Sequence, residues 1–266
     1  MNTPKVSVIM GIYNCEDTVA DAIESILSQT YSNLELIMCD DGSTDKTYDI
    51  AKSYKNKHSN IVLFKNPENL GLAYALNECL TFATGDLIAR QDGDDISVQE
   101  RIQKQVDCFS RNKEVSIIST STIRFDENGV WGKVVDPAAP TKLDFITGSP
   151  FCHGPAMIKK EALLAVDGYD PTKKSWRAED YDLWFRLYAA GFIGMNILEP
   201  LYWVRDDRNA FKRRKFRYRF IESHIKYRGF KSLGIPYKNY YHIARPILVG
   251  FVPKGLYKYL RRKRYS

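Results

Sequence analysis

The sequence of 266 residues contains no long apolar run, and this absence argues against an integral membrane protein. A membrane-spanning helix needs roughly 18 consecutive apolar residues. The longest candidate, residues 246–253, is much shorter and has a proline at each end. The first apolar segment is likewise too short for the hydrophobic region of a secretory signal peptide. We therefore expect a cytoplasmic chain.

Cysteine is scarce, and two common nucleotide-binding motifs are missing. The five cysteines are odd in number, and no two of them are spaced CxxC. Such cysteines favour reduced thiols in a cytosolic protein over a disulfide framework or a zinc site. The patterns GxGxxG and GxxxxGK[ST] are also absent, which argues against a dinucleotide-dependent oxidoreductase and a Walker-type NTPase.

Charge is distributed unevenly along the chain. The net charge is +7, but residues 201–266 contain 19 Lys and Arg against 3 Asp and Glu, whereas residues 1–200 contain 20 basic and 29 acidic residues. The pattern predicts a folded domain in residues 1–200 and a basic, aromatic, helical tail in residues 201–266. Anionic lipid attracts such a tail at about 1 kcal/mol per cation. Nucleic acid and a solvated helix face are the alternatives.

Short apolar runs alternate with helical patterns along the first half of the chain. Apolar spacings of three and four, as in Val19, Ala22, Ile23 and Ile26, are typical of a helix that buries one face. Strands that alternate with helices favour βαβ units and a mostly parallel sheet with helices on both faces. The pattern predicts strands at 6–12, 34–39, 61–64, 87–89 and 115–119, and helices at 19–27, 45–54, 72–80 and 102–109.

Polar clusters follow three of these strands at the point where each strand ends. Residues 13–14 follow the first strand, residues 40–43 the second, and residues 92–95 the fourth. Ligands of parallel sheets bind in the crevice beyond the carboxyl ends of the strands. We therefore expect the three clusters to meet in one crevice, although they lie far apart in sequence.

The cluster Asp92-Gly93-Asp94-Asp95 has the composition of a metal site. Neighbouring carboxylates repel one another unless a cation lies among them. Oxygen ligands suit Mg²⁺ or Mn²⁺ better than zinc, and Mg²⁺ commonly completes its shell with water and substrate phosphates. The spacing Asp92-x-Asp94 therefore indicates a cation that binds a diphosphate. An acidic turn before the next helix has the same composition.

The first two clusters admit a structural as well as a functional interpretation. Tyr13 has the flat ring needed to stack on a base, and it suits a half-buried core position equally well. Asp40 and Asp41 suit either ligand contacts at the end of a strand or an Asx-turn that begins the next helix.

Further along the chain, two other segments are candidates. Glu179 and Asp180 begin a helical pattern and suit a general base held near a reacting centre. The helix dipole alone also favours acidic residues at that position. His153 lies in a segment with Gly154 and Pro155, where it suits either a contact with phosphate or metal, or a structural role.

Together these segments resemble the family 2 inverting glycosyltransferases, which have the GT-A fold. They occur in the order and spacing of that family and extend over roughly residues 5–190. Gly11 stands where the family often has Pro or Thr. The matching segments are residues 6–14, 26–31, 40–45, 69–71, 85–95 and 179–180.

The resemblance implies an α/β protein with the Rossmann-like GT-A fold, which transfers a sugar from a nucleotide-diphosphate donor to an acceptor hydroxyl with inversion. Residues 1–200 would then be the nucleotide-sugar-binding and catalytic domain. By position in the family's motifs, Tyr13 and Asp41 would hold the base, usually uracil. Asn69 and Gly71 would lie near the nucleotide.

The resemblance also assigns a metal ligand and a general base. Asp94 would ligate Mn²⁺ or Mg²⁺ directly, and Asp92 would reach the ribose or the metal-bound diphosphate. The cation would stabilise the charge that develops on the leaving diphosphate. Asp180 would deprotonate the acceptor hydroxyl, and Glu179 would support it.

The expected partners are a nucleotide-sugar donor, in the first place a UDP-sugar, and a glycan or lipid-linked acceptor in the synthesis of a bacterial surface polysaccharide. The tail in residues 201–266 favours a location on the inner face of the cell membrane, against anionic lipid. A metal-dependent nucleotidyltransferase or a sugar-nucleotide hydrolase is the alternative enzyme. A nucleic-acid-binding protein is disfavoured, because residues 1–200 are acidic and no RRM, KH or C₂H₂ pattern occurs.

Overall fold

The computed structural model describes residues 3–206 and 216–252. Its strands are β1 (Val6–Ile12), β2 (Leu34–Asp40), β3 (Ile61–Lys65), β4 (Leu87–Arg90), β5 (Ile96–Ser97), β6 (Val115–Asp126), β7 (Gly129–Val134), β8 (Met157–Lys159) and β9 (Ile193–Arg205). Its α-helices are α1 (Val19–Leu27), α2 (Thr47–Lys55), α3 (Leu72–Phe82), α4 (Arg101–Arg111), α5 (Lys160–Ala165), α6 (Glu179–Ala189), α7 (Arg217–Ser232) and α8 (Arg245–Gly250).

A parallel block of four strands, in the order β3-β2-β1-β4, forms one half of the sheet. Val6 of β1 pairs with Leu34 of β2 and with Leu87 of β4, so the three strands begin in register. They also end at the same edge of the sheet, as the sequence predicts. The loops that follow β1, β2 and β4 therefore lie side by side.

The alternating side chains of β1 pack into two separate hydrophobic clusters, one on each face of the sheet. Val8 and Met10 contact the cluster that contains buried residues of α1 and α4. Ile9 belongs to the opposite cluster, with residues of α3 and α6. Both faces of the sheet are thus covered by helices, which explains the nearly continuous apolar runs of the parallel strands.

Helix α2 begins two residues later than the sequence predicts. The Oδ1 atom of Asp45 accepts a hydrogen bond of 3.0 Å from the backbone N–H of Thr47, where α2 begins. A carboxylate that accepts an N–H of the first turn lies just outside the helix. Asp45 therefore belongs to the turn between β2 and α2 and is not the first residue of the helix.

The other half of the sheet is mixed and was largely missed by the sequence patterns. Strand β6 is longer than predicted and forms a hairpin with β7. It pairs antiparallel with β8 and parallel with β9. Strand β9 runs through the predicted division between residues 200 and 201, so the first residues of the predicted tail belong to the sheet.

Helix α7 packs against α6 on the face of the sheet that also carries α3, and α8 packs against α7. Ile225 and Phe230 of α7 are buried in the same hydrophobic cluster as Trp184 of α6. This region is thus continuous with the main core. No helix within residues 3–206 and 216–252 combines the length and apolarity needed to cross a membrane.

One buried carboxylate links the start of the parallel block to the chain before β4. The two oxygens of Glu35 accept hydrogen bonds from Lys5 Nζ at 2.7 Å, from Ser7 Oγ at 2.6 Å and from the backbone N–H of Thr84 at 2.8 Å. Burial alone would raise the pKa of Glu35, but these hydrogen bonds outweigh it and lower the pKa to about 2.

Glu35 makes the stability of the fold depend on pH in a defined direction. A carboxyl with a lowered pKa stabilises the folded state above its unfolded pKa. We expect this contribution to be lost as the pH falls from 4.5 toward 2. Glu35→Gln should lower the free energy of unfolding at neutral pH by about 1–3 kcal/mol and flatten its acid dependence in urea titrations. The exposed Glu68→Gln is the control, and an unchanged acid slope in Glu35→Gln would contradict the assignment.

Candidate functional site

The loop after β1 is held against the loop after β2 by backbone and side-chain hydrogen bonds. The N–H of Asn14 donates to Ser43 Oγ at 3.0 Å, and the N–H of Thr44 donates to Asn14 Oδ1 at 2.9 Å. Asn14 has a positive φ of 46°, which turns the chain directly after Tyr13. The ring of Tyr13 remains 47% exposed, so this residue is not a core tyrosine.

Asp41 connects the end of β2 to the loop that precedes α3. Its buried carboxylate accepts hydrogen bonds from Asn66 Nδ2 at 2.9 Å, from the N–H of Leu70 at 3.0 Å and from the N–H of Gly71 at 2.8 Å. Asp41 thereby holds the loop of residues 69–71 against the end of β2. Asn69 itself is exposed.

Asp40 and Gly42 shape the turn beside Asp41. Oδ1 of Asp40 accepts the N–H of Ser43 at 2.9 Å and lies 3.6 Å from Lys65 Nζ, so this carboxylate serves the turn. Gly42 has a φ of +76°, and a Cβ there would lie 2.6 Å from the backbone carbon of Glu68. Only glycine allows the two loops to approach this closely.

Arg90 and Asp92 form a pair at the end of β4. Arg90 is only 4% exposed, and its guanidinium donates to both oxygens of Asp92, with Nη1 lying 2.6 Å from Oδ2. The N–H of Asp92 donates to the hydroxyl of Tyr202 in β9 at 3.0 Å. Asp92 is therefore positioned by a buried cation on one side and a buried tyrosine on the other.

The next two carboxylates have different surroundings. Asp94 is exposed, yet desolvation by the surrounding protein and the nearby charge of Asp92 raise its pKa to about 6. Asp95 is buried and accepts the N–H of Arg205 at 2.7 Å. Burial and the charges of Asp92 and Asp94 raise the pKa of Asp95. The carboxyls of Asp94 and Asp95 thus remain hard to ionise although Arg90 and Arg205 lie nearby.

A cavity of about 500 Å³ lies at this edge of the sheet. It brings together three of the predicted residues, Tyr13, Asp92 and Asp94, from the ends of two strands. Asp41 does not line it and lies behind the loop of Tyr13. The cavity is lined by Gly11, Tyr13, Asn14, Cys15, Asp17, Thr18, Asp92, Gly93, Asp94, Asp126, Glu127 and Arg205.

Glu179 and Asp180 lie at the N-terminal end of α6, outside the lining of this cavity. Burial and the neighbouring charge of Glu179 raise the pKa of Asp180 to about 6. Burial also raises the pKa of Glu179. The charge of Arg90, which bonds to Asp92, acts to lower the pKa of both carboxyls, but burial outweighs it.

His153 has surroundings that favour its structural role. Its Nε2 atom lies 3.0 Å from the hydroxyl of Tyr169, and its ring packs edge-on against Trp184 with centroids 6.0 Å apart. Burial and the charge of Arg90 hold the pKa of His153 well below its usual range. His153 is therefore neutral at physiological pH, and it adds no second positive charge beside the buried guanidinium of Arg90.

Sequence patterns missed two residues of the site, Tyr202 and Arg205, because both come from β9. Arg205 lines the cavity, and its Nε atom donates to the backbone oxygen of Asp94 at 3.1 Å. Its guanidinium lies 4.6 Å from the ring centroid of Phe125. No local pattern near residue 200 indicated a strand that returns to the carboxylate cluster.

Cys15 contributes a thiol to the cavity wall. Its sulfur lies 3.0 Å from the position that a Cβ at Gly93 would take. Burial raises the pKa of Cys15 to about 11, although hydrogen bonds with Thr47 and the Tyr13 backbone act in the opposite direction.

The carboxylates fit a divalent cation that takes most of its ligands from a substrate. In residues 3–206 and 216–252, no group of three or more His, Cys, Asp and Glu converges to hold a metal by itself. Asp94 faces the cavity, whereas both oxygens of Asp92 are bonded to Arg90. Mg²⁺ and Mn²⁺ accept such sites, because phosphates and water complete their oxygen shell.

The fold and this cavity define a glycosyltransferase with the GT-A fold. Residues 7–166 match the family described as glycosyl transferase family 2, and the chain belongs to that family. The structure of residues 1–349 of TarS from S. aureus in complex with UDP-GlcNAc superposes with a TM-score of 0.71. The two sequences are 18% identical, and the match covers 97% of this chain and 79% of the TarS chain of residues 1–349.

Two curated relatives match almost the whole chain. EpsE of Bacillus subtilis (strain 168), whose name assigns it to the glycosyltransferases, is 46% identical over 262 residues, which are 98% of this chain and 94% of EpsE. UDP-Gal:alpha-D-GlcNAc-diphosphoundecaprenol beta-1,3-galactosyltransferase of Escherichia coli is 30% identical over 272 residues, with coverage of 98% and 97%. The predicted family and fold are thus confirmed.

The hydroxyl of Tyr202 should be important for the stability of the carboxylate loop. Tyr202→Phe leaves the buried N–H of Asp92 without its acceptor. We expect the free energy of unfolding to fall by about 1–3 kcal/mol, measured by urea denaturation. Tyr237→Phe, at a residue that is 86% exposed, is the matched control and should change little. Equal stabilities of the two variants would show that Tyr202 does not hold the loop.

Proposed function

We propose that this glycosyltransferase is a metal-dependent, inverting enzyme that transfers a sugar from a UDP-sugar to an acceptor hydroxyl in the synthesis of a surface polysaccharide. The observation that carries the proposal is the meeting of Tyr13, Asp92 and Asp94 in one cavity. The charge of Arg90, which bonds to Asp92, also acts on Asp180.

The first loops of the sheet suit the nucleotide of the donor. The exposed ring of Tyr13 offers a flat surface on which uracil stacks. Asp41 accepts the N–H groups of Leu70 and Gly71 and thereby holds the loop of Asn69, which would lie near the nucleotide. The E. coli relative has a UDP-sugar in its name, which supports a uridine donor.

Asp94 is the residue that would hold the divalent cation, with Asp92 and Arg90 beside it. When bound, Mn²⁺ or Mg²⁺ supplies positive charge for the diphosphate as the bond to the sugar breaks. Asp92, which Arg90 holds through both carboxylate oxygens, would reach the ribose or the metal-bound diphosphate. Arg205 adds a second cation to the cavity wall.

Asp180 is the general base, and Glu179 supports it. Inversion requires that the acceptor hydroxyl attack the anomeric carbon on the face opposite to the leaving diphosphate. A base at the start of α6 and a cation at Asp94 therefore flank the sugar from two sides. The raised pKa of Asp180 suits a base that must take a proton from a hydroxyl near neutral pH.

The acceptor is a glycan or a lipid-linked sugar at the inner face of the cell membrane. The E. coli relative acts on a diphosphoundecaprenol-linked sugar according to its name. A lipid-linked acceptor requires an enzyme that works at the membrane surface, and the 19 basic residues of 201–266 favour contact with anionic lipid there.

The assigned roles of Asp94 and Asp180 predict that both residues are needed for turnover but that only Asp94 is needed for Mn²⁺-dependent UDP binding. Asp94→Ala should abolish Mn²⁺-dependent transfer and weaken Mn²⁺-dependent UDP binding by tenfold or more. Asp180→Asn should retain UDP binding within about twofold but lower kcat by roughly 10²–10⁴. Calorimetry with UDP and Mn²⁺, together with transfer assays, separates the two effects. An equal loss of UDP affinity in both variants would contradict the roles, and UDP-sugar turnover that ignores the acceptor would indicate a hydrolase.

The pKa of Asp180 sets the acid limb of the rate profile. The base works only when it is deprotonated, so at saturating donor and Mn²⁺ we expect kcat to fall about tenfold per pH unit below a pH of about 6. Saturating Mn²⁺ keeps Asp94 deprotonated and bound to the cation, so the titration of Asp94 does not contribute to this profile. A rate that stays constant from pH 8 down to pH 5, about one unit below the pKa of Asp180, would exclude Asp180 as the base.

A further inference from the structure

Helix α7 exposes a stripe of aromatic and basic side chains along its whole length. The exposed positions follow spacings of three and four residues, so they lie on one face of the helix. Glu222 is the only acidic residue in 216–252, and it is half-buried. The exposed residues of the stripe are Phe216, Arg217, Phe220, His224, Tyr227, Arg228 and Lys231.

At its first end the stripe joins an aromatic cluster shared with α8. The ring centroid of Phe216 lies 5.4 Å from that of Phe220 and 5.2 Å from that of Phe251. These rings are 39%, 53% and 74% exposed, respectively. The ring of Phe216 thus contacts both of the others, and three large rings that remain open to solvent form an apolar patch that favours a partner.

The direction of α7 places this cluster on the side of the candidate base. Nζ of Lys226 lies 6.0 Å from the ring centroid of Tyr181, near the start of α6. Three to four residues later along both helices, Gly229 packs on the ring of Phe185, and the ring of Phe230 lies 6.2 Å from it. Helices α6 and α7 therefore run in the same direction.

The first half of α7 consequently extends past the end of α6 at which Asp180 lies. Nine residues separate Arg217 from Lys226, and a helix rises about 1.5 Å per residue, so the overhang is about 13 Å. Helix α8 packs along this overhang, since Nη1 of Arg219 donates to the backbone oxygen of Pro246 at 3.0 Å.

We propose that the exposed face of α7 and α8 docks on an anionic lipid bilayer and thereby places the acceptor side of Asp180 at the membrane surface. The docking face consists of Phe216, Arg217, Phe220, Tyr227, Arg228, Lys231, Leu248 and Phe251. Its aromatic rings enter the interfacial layer, and its cations contact lipid headgroups. This inference rests on the proposed lipid-linked acceptor, because only such an acceptor requires the base to lie near the bilayer.

Charge favours a bilayer over a second copy of the chain as the occupant. Residues 216–252 contain seven Lys and Arg against one Asp or Glu. The adjoining sequences 207–215 and 253–266 add eleven Lys and Arg against one Asp, and they join the described chain at Phe216 and Val252. Two such surfaces repel each other, whereas anionic headgroups attract both.

Vesicle binding tests the proposal with the full chain. Binding is measured by co-sedimentation with vesicles of phosphatidylglycerol and phosphatidylcholine, and with phosphatidylcholine alone, without donor or acceptor. The double variant Phe220→Glu/Phe251→Glu should lower binding to the anionic vesicles by tenfold or more, because it removes two exposed rings that enter the interfacial layer and adds negative charge. The variant Arg228→Ala/Lys231→Ala, which alters no ring, should weaken binding severalfold and reduce its salt dependence.

Leu164→Glu is the matched control. Leu164 is 56% exposed and lies in α5, which follows β8 at the end of the sheet where Lys159 pairs with Leu87 at the start of β4. This end is opposite to the cavity. The control should bind vesicles as the native chain does, and the melting temperatures of all variants show whether they are folded.

Transfer assays distinguish a failure of docking from a failure of the proposed function. With a short-chain, water-soluble lipid diphosphate acceptor, the ring variant should keep the native kcat. With the acceptor embedded in vesicles, its rate should fall in parallel with binding. Native binding by the ring variant would overturn the proposal, as would a native chain that ignores anionic vesicles and forms a dimer that the ring variant disrupts. Absence of transfer in every assay, with lipid binding intact, would instead refute the proposed acceptor.

Discussion

The buried guanidinium of Arg90 is the interaction on which the site depends. A buried cation is costly unless carboxylates and hydrogen bonds surround it, and a cluster of carboxylates is costly without a cation. Arg90 meets both needs at the end of β4. It bonds to Asp92, and its charge acts on Glu179 and Asp180. The charge of Arg90 thus acts both on the carboxylate in the cavity and on the carboxylates at the start of α6.

The site lies where the two halves of the sheet meet. The parallel half supplies Tyr13, Asp41 and Asp92 from the ends of β1, β2 and β4. The mixed half supplies Tyr202 and Arg205, which hold the backbone of the carboxylate loop from the other side. A parallel sheet alone would leave the loop of residues 92–95 open on one side. Strand β9 covers that side, and its hydrogen bonds to residues 92–95 hold the closely spaced carboxylates in one arrangement.

The sequence was sufficient to predict the parallel half because its signals are local. The apolar runs of β1, β2 and β4 are buried on both faces, and the polar residues directly after them mark the strand ends. Strand β9 has no such signal, since it contains Pro200, mixes exposed and buried positions, and pairs with β6 across register shifts. The approach of Tyr202 and Arg205 to Asp92 and Asp95 spans 110 positions, so spacing along the chain could not reveal it.

The raised pKa of Cys15 makes the thiol in the cavity wall slow to react with electrophiles and peroxides. Only a thiolate attacks electrophiles or peroxides at an appreciable rate. With a pKa of about 11, roughly one molecule in ten thousand carries that thiolate at neutral pH. The enzyme can therefore keep a sulfur atom in contact with Gly93 for its size and softness, without exposing its donor cavity to alkylation or oxidative inactivation.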